Sequence, residues 1–182
     1  MKLFRLFVLW AAIAAAPAAH AEVGGRFMLW DAQRNVVTDA DFNGKFMLIT
    51  FGYTFCPDIC PTNLSVMGRA MDLLGDKADE ITPIFISVDP ERDTPGKLGD
   101  YVANFHDRFV GLTGSEVMIK RVADSYKVVF AKVPSTSGDP SLYTVDHTAS
   151  IFLMAPDGHF LDRMAHGITA EQMAERVRGF VN

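Results

Sequence analysis

Two residues in this chain stand out for their chemistry: Cys56 and Cys60, its only cysteines, in the stretch Phe51-Gly-Tyr-Thr-Phe-Cys-Pro-Asp-Ile-Cys-Pro61. Four positions apart on a helix they fall on one side of a turn, close enough to bond each other or to hold one ion. A helix beginning at the second cysteine would turn its unpaired N–H groups toward the sulfurs. That setting favours thiolate and is expected to lower a cysteine pKa. Pro57 and Pro61 lack an N–H and suit a first turn. A structural disulfide closing so small a loop would remove little chain entropy. Asp58 between the thiols argues against an inert, apolar pair. The spacing therefore favours a functional thiol pair, for exchange or for a soft metal.

Two thiolates make an incomplete metal site, and beyond the first twenty-one residues the histidines are His106, His147, His159 and His166. Spacing alone leaves the choice among them open. Local pattern favours His147, which follows a Pro/Gly/Ser-rich stretch and precedes the apolar run to Met154; the others read as surface or hairpin residues.

The elements that must position these groups follow from periodicity. Lys45 to Phe51 is a nearly continuous apolar run of strand length, as for a strand buried on both faces. Leu64, Met67, Met71 and Leu74 then mark one face of a helix stopped at Gly75. Thr82 to Val88 reads as a second strand, and Thr94-Pro95 opens a helix with Leu98, Tyr101, Val102 and Phe105 facing inward. This alternation predicts parallel pairing, and a strand-to-helix junction is where α/β folds place ligands. Phe109 to Leu112 continues as a strand. Ser115 caps a helix whose Val117, Ile119, Val122 and Tyr126 point inward, and Val128 to Val133 is strand-like. Pro134 to Leu142 reads as an inserted loop. Thr148 to Met154 and His159 to Ala165 form a hairpin about Ala-Pro-Asp-Gly158, and the capping box Thr169-x-x-Gln172 opens a last helix through Met173, Val177 and Phe180. Ahead of all this, Gly24 to Phe42 suggests an N-terminal hairpin. The order is that of an α/β, thioredoxin-like domain with that hairpin added and the loop inserted before the closing hairpin.

The 182 residues, 49% hydrophobic and 21% charged, suit one globular domain. Residues 1–21 read as a signal peptide, leaving 22–182 as the domain. Lys2 and Arg5 precede the eleven-residue apolar run Leu6 to Ala16, and Ala19-His20-Ala21 supplies a cleavage pattern. A spanning helix would need about 20 apolar residues, and Pro17 interrupts this one. Loss of that leader takes the formal net charge from −5 to −7. An acidic chain with no Lys/Arg cluster excludes nucleic acid as a main ligand. Export, to a periplasm in a bacterium, would also place the thiols where they oxidise unless a reductant or metal holds them.

Three blocks, Tyr53-Thr-Phe-Cys-Pro-Asp-Ile-Cys-Pro61, Phe85-Ile-Ser-Val-Asp-Pro-Glu-Arg-Asp-Thr-Pro95 and Val145-Asp-His-Thr148, resemble the signature blocks of the Sco/SenC family of copper-binding cytochrome oxidase assembly proteins. The similarity extends from about Phe42 to the C-terminus. It implies a thioredoxin-like fold, Cys56, Cys60 and His147 as copper ligands, and delivery to the dinuclear copper centre in the copper-accepting subunit of cytochrome c oxidase. An upstream copper donor or thiol reductant would supply the chain. Membrane association would come only through that partner or an uncleaved leader. Two thiolates and an imidazole suit Cu(I), whereas Cu(II) would recruit another donor, with Asp146 or Asp58 as candidates, although both read more simply as solvated carboxylates. A closed zinc site would want a fourth protein ligand. Asp89-Pro-Glu-Arg-Asp93 reads as a strand-to-helix turn with Arg92 paired to a carboxylate, and Met67 and Met71 as core. The competing function is thiol-disulfide exchange, with Cys56 and Cys60 as the redox-active pair that reduces the cysteines of an exported cuproprotein. A peroxidase reading lacks a Pro-x-x-x-Thr-x-x-Cys arrangement.

Overall fold

The computed structural model describes residues 23–136, 139 and 142–181. The leader expected at residues 1–21 lies outside these, as do positions 137, 138, 140 and 141 of the expected loop. Among the described residues no helix is long and apolar enough to cross a membrane.

Strands β1 (Met28–Trp30) and β2 (Val36–Thr38) pair antiparallel as the N-terminal hairpin. The apolar runs then build the centre. β3 (Phe46–Gly52) pairs parallel with β4 (Ile81–Ser87), and β4 pairs parallel with β5 (Val110–Leu112). Helix α1 (Ile59–Leu74) connects β3 to β4, and α2 (Pro95–Ala103) connects β4 to β5. After α3 (Glu116–Ser125) come β6 (Phe130–Pro134) and β7 (Tyr143–His147), then β8 (Ile151–Met154), β9 (Phe160–Met164) and α4 (Ala170–Arg178). β8 joins the free edge of β3 antiparallel, completing a five-stranded sheet of order β5-β4-β3-β8-β9. This is the thioredoxin-like α/β architecture expected, with parallel pairing confined to β3, β4 and β5.

Burial follows the periodicity. Six of the seven residues of β3 are buried, as for a central strand covered on both faces. Leu64, Met67 and Met71 on α1 are sealed in the core, each worth about 1.5–3 kcal/mol of transfer free energy. The methionines are thus core residues here. Ser115 caps α3 by accepting the Met118 amide, and Thr169 and Gln172 form the capping box on α4.

Four sequence expectations need correction. Val117 faces solvent, 71% exposed, because the buried face of α3 is formed by Ile119, Val122 and Ala123, and Phe180 lies beyond the end of α4 and is partly exposed. The stretch read as a loop from Pro134 connects the strands of a second hairpin: β6 and β7 pair antiparallel, and Pro134 lies inside β6 opposite Tyr143 rather than in the loop. His147 is accordingly the last residue of β7, opposite Phe130, and so closes a strand rather than standing between the loop and the next strand.

Candidate metal centre

Strand β3 delivers the chain into the turn Tyr53 to Asp58, and α1 begins at Ile59 with Cys60 in its first turn. A helix start leaves N–H groups without intrahelical partners. Here the Cys60 amide donates to Cys56 Sγ at 3.4 Å, so the first sulfur sits over the helix N-terminus, while Pro61 spends no donor. Cys60 is buried, Cys56 half-buried, and both are free thiols. Gly52 makes room for the second sulfur, since a Cβ there would lie 2.6 Å from Cys60 Sγ.

From 87 residues away, β7 brings His147 Nε2 to 3.3 Å from Cys60 Sγ. The donor atoms of Cys56, Cys60 and His147 all lie within 4.8 Å of one another. His147 Nδ1 is 3.2 Å from the Thr148 carbonyl oxygen. A proton on Nδ1 satisfies that carbonyl and leaves the Nε2 lone pair facing the sulfurs, the tautomer a metal ligand requires. The Tyr53 ring meets the imidazole edge-on, with centroids 6.0 Å apart, and walls the site on the core side.

Electrostatics here is dominated by burial. Desolvation pushes the Cys60 thiol well above the ordinary cysteine range, and the neighbouring Cys56 adds to the shift. The lowering expected from the helix N-terminus therefore fails for Cys60, because its side chain is buried beside Gly52 rather than left in water. Desolvation also lowers the His147 pKa below 6.5, against the opposing pull of the Thr148 carbonyl and Asp146. The resting pair is thus a neutral thiol and a neutral imidazole, with S–H able to donate to Nε2. Binding a metal there displaces the thiol proton without first having to deprotonate the histidine.

The other candidates fall away from this centre. Asp58 and Asp146 are exposed, and neither joins the three-membered donor cluster. His106 sits between Asp72 and Asp107, His159 pairs with Asp157 in the closing hairpin, and exposed His166 contacts Asn63. Two sulfurs and one nitrogen, with no fourth donor in the cluster among the described residues, make a soft, three-coordinate set. This fits Cu(I) better than the closed four-ligand cage of structural zinc.

Around the donors lies a polar framework that the sequence only hinted at. Asp93, fully buried, accepts from the Thr54 amide at 2.9 Å, the Thr54 hydroxyl at 2.6 Å and the Ser87 hydroxyl at 2.7 Å. It thereby pins the cysteine turn to the end of β4. Asp89, also fully buried, pairs with Arg92 at 2.5 Å and accepts from the Tyr143 hydroxyl at 2.7 Å. The turn with an Arg92–carboxylate pair was legible; its contacts to Tyr143 were not. Strict alternation in Tyr143-Thr-Val-Asp-His147, with the odd positions inward, was the available signal for β7.

Comparison with known proteins converges on one group. A family model described as SCO1/SenC matches residues 15–182. Protein sco1 of Schizosaccharomyces pombe is 39% identical over 160 residues, 87% of this chain and 61% of that protein, so this chain spans less than two thirds of it. A SCO2-like protein of Rickettsia felis is 37% identical over 160 residues, 88% of this chain and 78% of the relative. The solved structure of Bradyrhizobium japonicum ScoI with copper bound superposes with a TM-score of 0.78 at 43% identity, covering 87% of this chain and 99% of that one.

Proposed function

The chain belongs to the SCO1/SenC family, and from that membership we propose that it is an exported copper chaperone. It holds one copper ion through Cys56, Cys60 and His147 and passes it to the copper-accepting subunit of cytochrome c oxidase. The observation that carries this reading is the convergence of two sulfurs and an imidazole nitrogen within 4.8 Å, built from elements 87 residues apart. Copper bound in the solved Bradyrhizobium relative supports the choice of ion. An open, three-donor site also suits a carrier, because an incoming thiolate can attack the ion before the first ligands leave. The acidic leaderless domain, in a periplasm, would take copper from an upstream donor once a thiol reductant has opened any Cys56–Cys60 disulfide.

One geometric feature favours a second reading, thiol-disulfide exchange: half-buried Cys56 stands in front of buried Cys60 one turn away. Cys56 thiolate would attack a partner disulfide, and Cys60 would then displace the partner as a dithiol. Two electrons pass outward and a Cys56–Cys60 disulfide remains. Mixing the copper-loaded chain with the isolated copper-accepting domain of the oxidase, supplied reduced or as its disulfide, separates the two. The chaperone reading expects copper to appear on the reduced acceptor. Reduction of the oxidised acceptor without copper transfer would contradict it.

A further inference from the structure

Strands β6 and β7 form a two-stranded sheet of their own and share no ladder with the five-stranded sheet. A lone hairpin has little stability and no fixed place unless side chains supply it. The distance from His147 to Cys60 is therefore set by whatever fastens this hairpin to the core. At its His147 end, buried Val145 packs into the core cluster, while the bonds between Thr148 and Val129 only extend the hairpin's own ladder. At the Tyr143 end the fastening is Arg92. Its Nη1 donates to the Tyr143 carbonyl at 2.9 Å, and its guanidinium stacks 3.6 Å from the centre of the Tyr143 ring. Asp89 holds the other edge of the guanidinium and receives the Tyr143 hydroxyl. An exposed Lys132–Glu91 pair at 2.7 Å also links the hairpin to this turn, and exposed pairs hold little.

Arg92 also reaches the other half of the site. Its guanidinium carbon lies 4.8 Å from the Phe55 ring and 5.6 Å from the Tyr53 ring, both in the cysteine turn. Nη2 is buried with no hydrogen-bond partner among the described residues, consistent with a cation held by ring faces as well as by hydrogen bonds. The next residue, Asp93, grips Thr54. One turn, residues 89–93, thus holds the cysteines with one side chain and the histidine strand with its neighbour. Tyr143 and His147 lie on the same face of β7 about 13 Å apart, so the strand acts as a lever between anchor and ligand.

We propose that Arg92 is a positioning residue of the metal centre: it fastens β7 so that His147 Nε2 meets the thiols, without itself touching the ion. This rests on the copper reading above. The test is a double-mutant cycle on the full mature chain, with Arg92→Gln and His147→Ala singly and together. Copper affinity is read by chelator competition, and the nitrogen hyperfine pattern of the Cu(II)-loaded form reports His147 directly.

Arg92→Gln is expected to weaken copper binding roughly tenfold and to diminish the nitrogen pattern, yet to change affinity less than about twofold when His147 is already alanine. Arg92→Lys, which keeps the charge opposite Asp89 but not the planar fork, is expected to restore part of the loss. Equal losses in both backgrounds, or none in either, would overturn the proposal. So would unfolding of both Arg92 variants by circular dichroism, since an anchor of the hairpin should leave the five-stranded core intact. Failure of His147→Ala to weaken binding would instead remove the copper reading on which this rests.

Discussion

Replacing Gly52 with alanine puts a methyl group 2.6 Å from Cys60 Sγ and 2.7 Å from Phe85 Cε2. Non-bonded carbon contacts are comfortable from about 3.5 Å, so the methyl is roughly 1 Å too close on two sides at once. Gly52 ends β3 with an ordinary strand backbone and its carbonyl accepts the Val88 amide at 2.8 Å, so the glycine is there for space and the strand cannot simply retreat. Overpacking of this kind costs about 1–3 kcal/mol, which for a chain of this size lowers Tm by roughly 2–12 °C. The more mobile neighbour is the cysteine side chain. Relieving the clash by turning Cys60 Sγ away carries it off the His147 contact, and copper affinity should fall on the order of tenfold. Differential scanning calorimetry and chelator competition measure the two effects. Gly96→Ala is the control: the site is exposed, in the first turn of α2, with nothing within 4 Å of the new methyl. There the same chemical change should be neutral or stabilise by up to about 1 kcal/mol, with copper binding unchanged. Wild-type Tm and copper affinity in Gly52→Ala would refute the packing argument.

Two other predictions concern protons and the cysteine turn. Because burial holds Cys60 protonated through neutral pH, copper loading must release its proton; because burial lowers the His147 pKa, the imidazole releases little near neutral pH and above. Between pH 6.5 and 8.5 Cys60 should therefore contribute about a tenfold rise in affinity per pH unit, and below 6.5 competition for His147 should steepen the dependence. Titrations that give a pH-independent affinity across this range would contradict a thiol ligand that starts protonated. Asp93→Asn replaces one acceptor oxygen with a donor amide in a fully buried pocket that offers three donor hydrogens, from the Thr54 amide, the Thr54 hydroxyl and the Ser87 hydroxyl. Stability should drop by about 1.5–3 kcal/mol in urea denaturation, with the m-value unchanged; an unshifted midpoint would show that the turn does not depend on this carboxylate.

The central sheet was readable because β3 and β4 are continuous apolar runs, and α1 because Leu64, Met67 and Met71 recur at helical steps. The Thr169-x-x-Gln172 box likewise named the start of α4. What periodicity did not reveal lies in the β6–β7 hairpin: Pro134 and the Ser/Gly-rich connection look like loop, and five alternating residues ending at His147 are a weak signal beside them. The two thiols were legible as a pair from spacing. Their third partner, 87 positions away, was favoured by local pattern and settled on by resemblance, since spacing left the choice open. The raised Cys60 pKa was not legible either, since it depends on how deeply the fold buries the sulfur beside Gly52, a contact between a strand and a helix.

The claim that most needs testing is that His147 and the two cysteines hold one ion together. Anaerobic copper titration of the reduced domain, residues 22–182, beside His147→Ala and Cys56→Ser, with a competing chelator to fix affinity, addresses it directly. The arrangement predicts tight one-to-one binding that each substitution weakens strongly, because each removes one donor from a cluster of three. Binding that is weak, or indifferent to His147, would contradict it and leave Cys56 and Cys60 as a thiol pair whose reduction potential then becomes the quantity to measure.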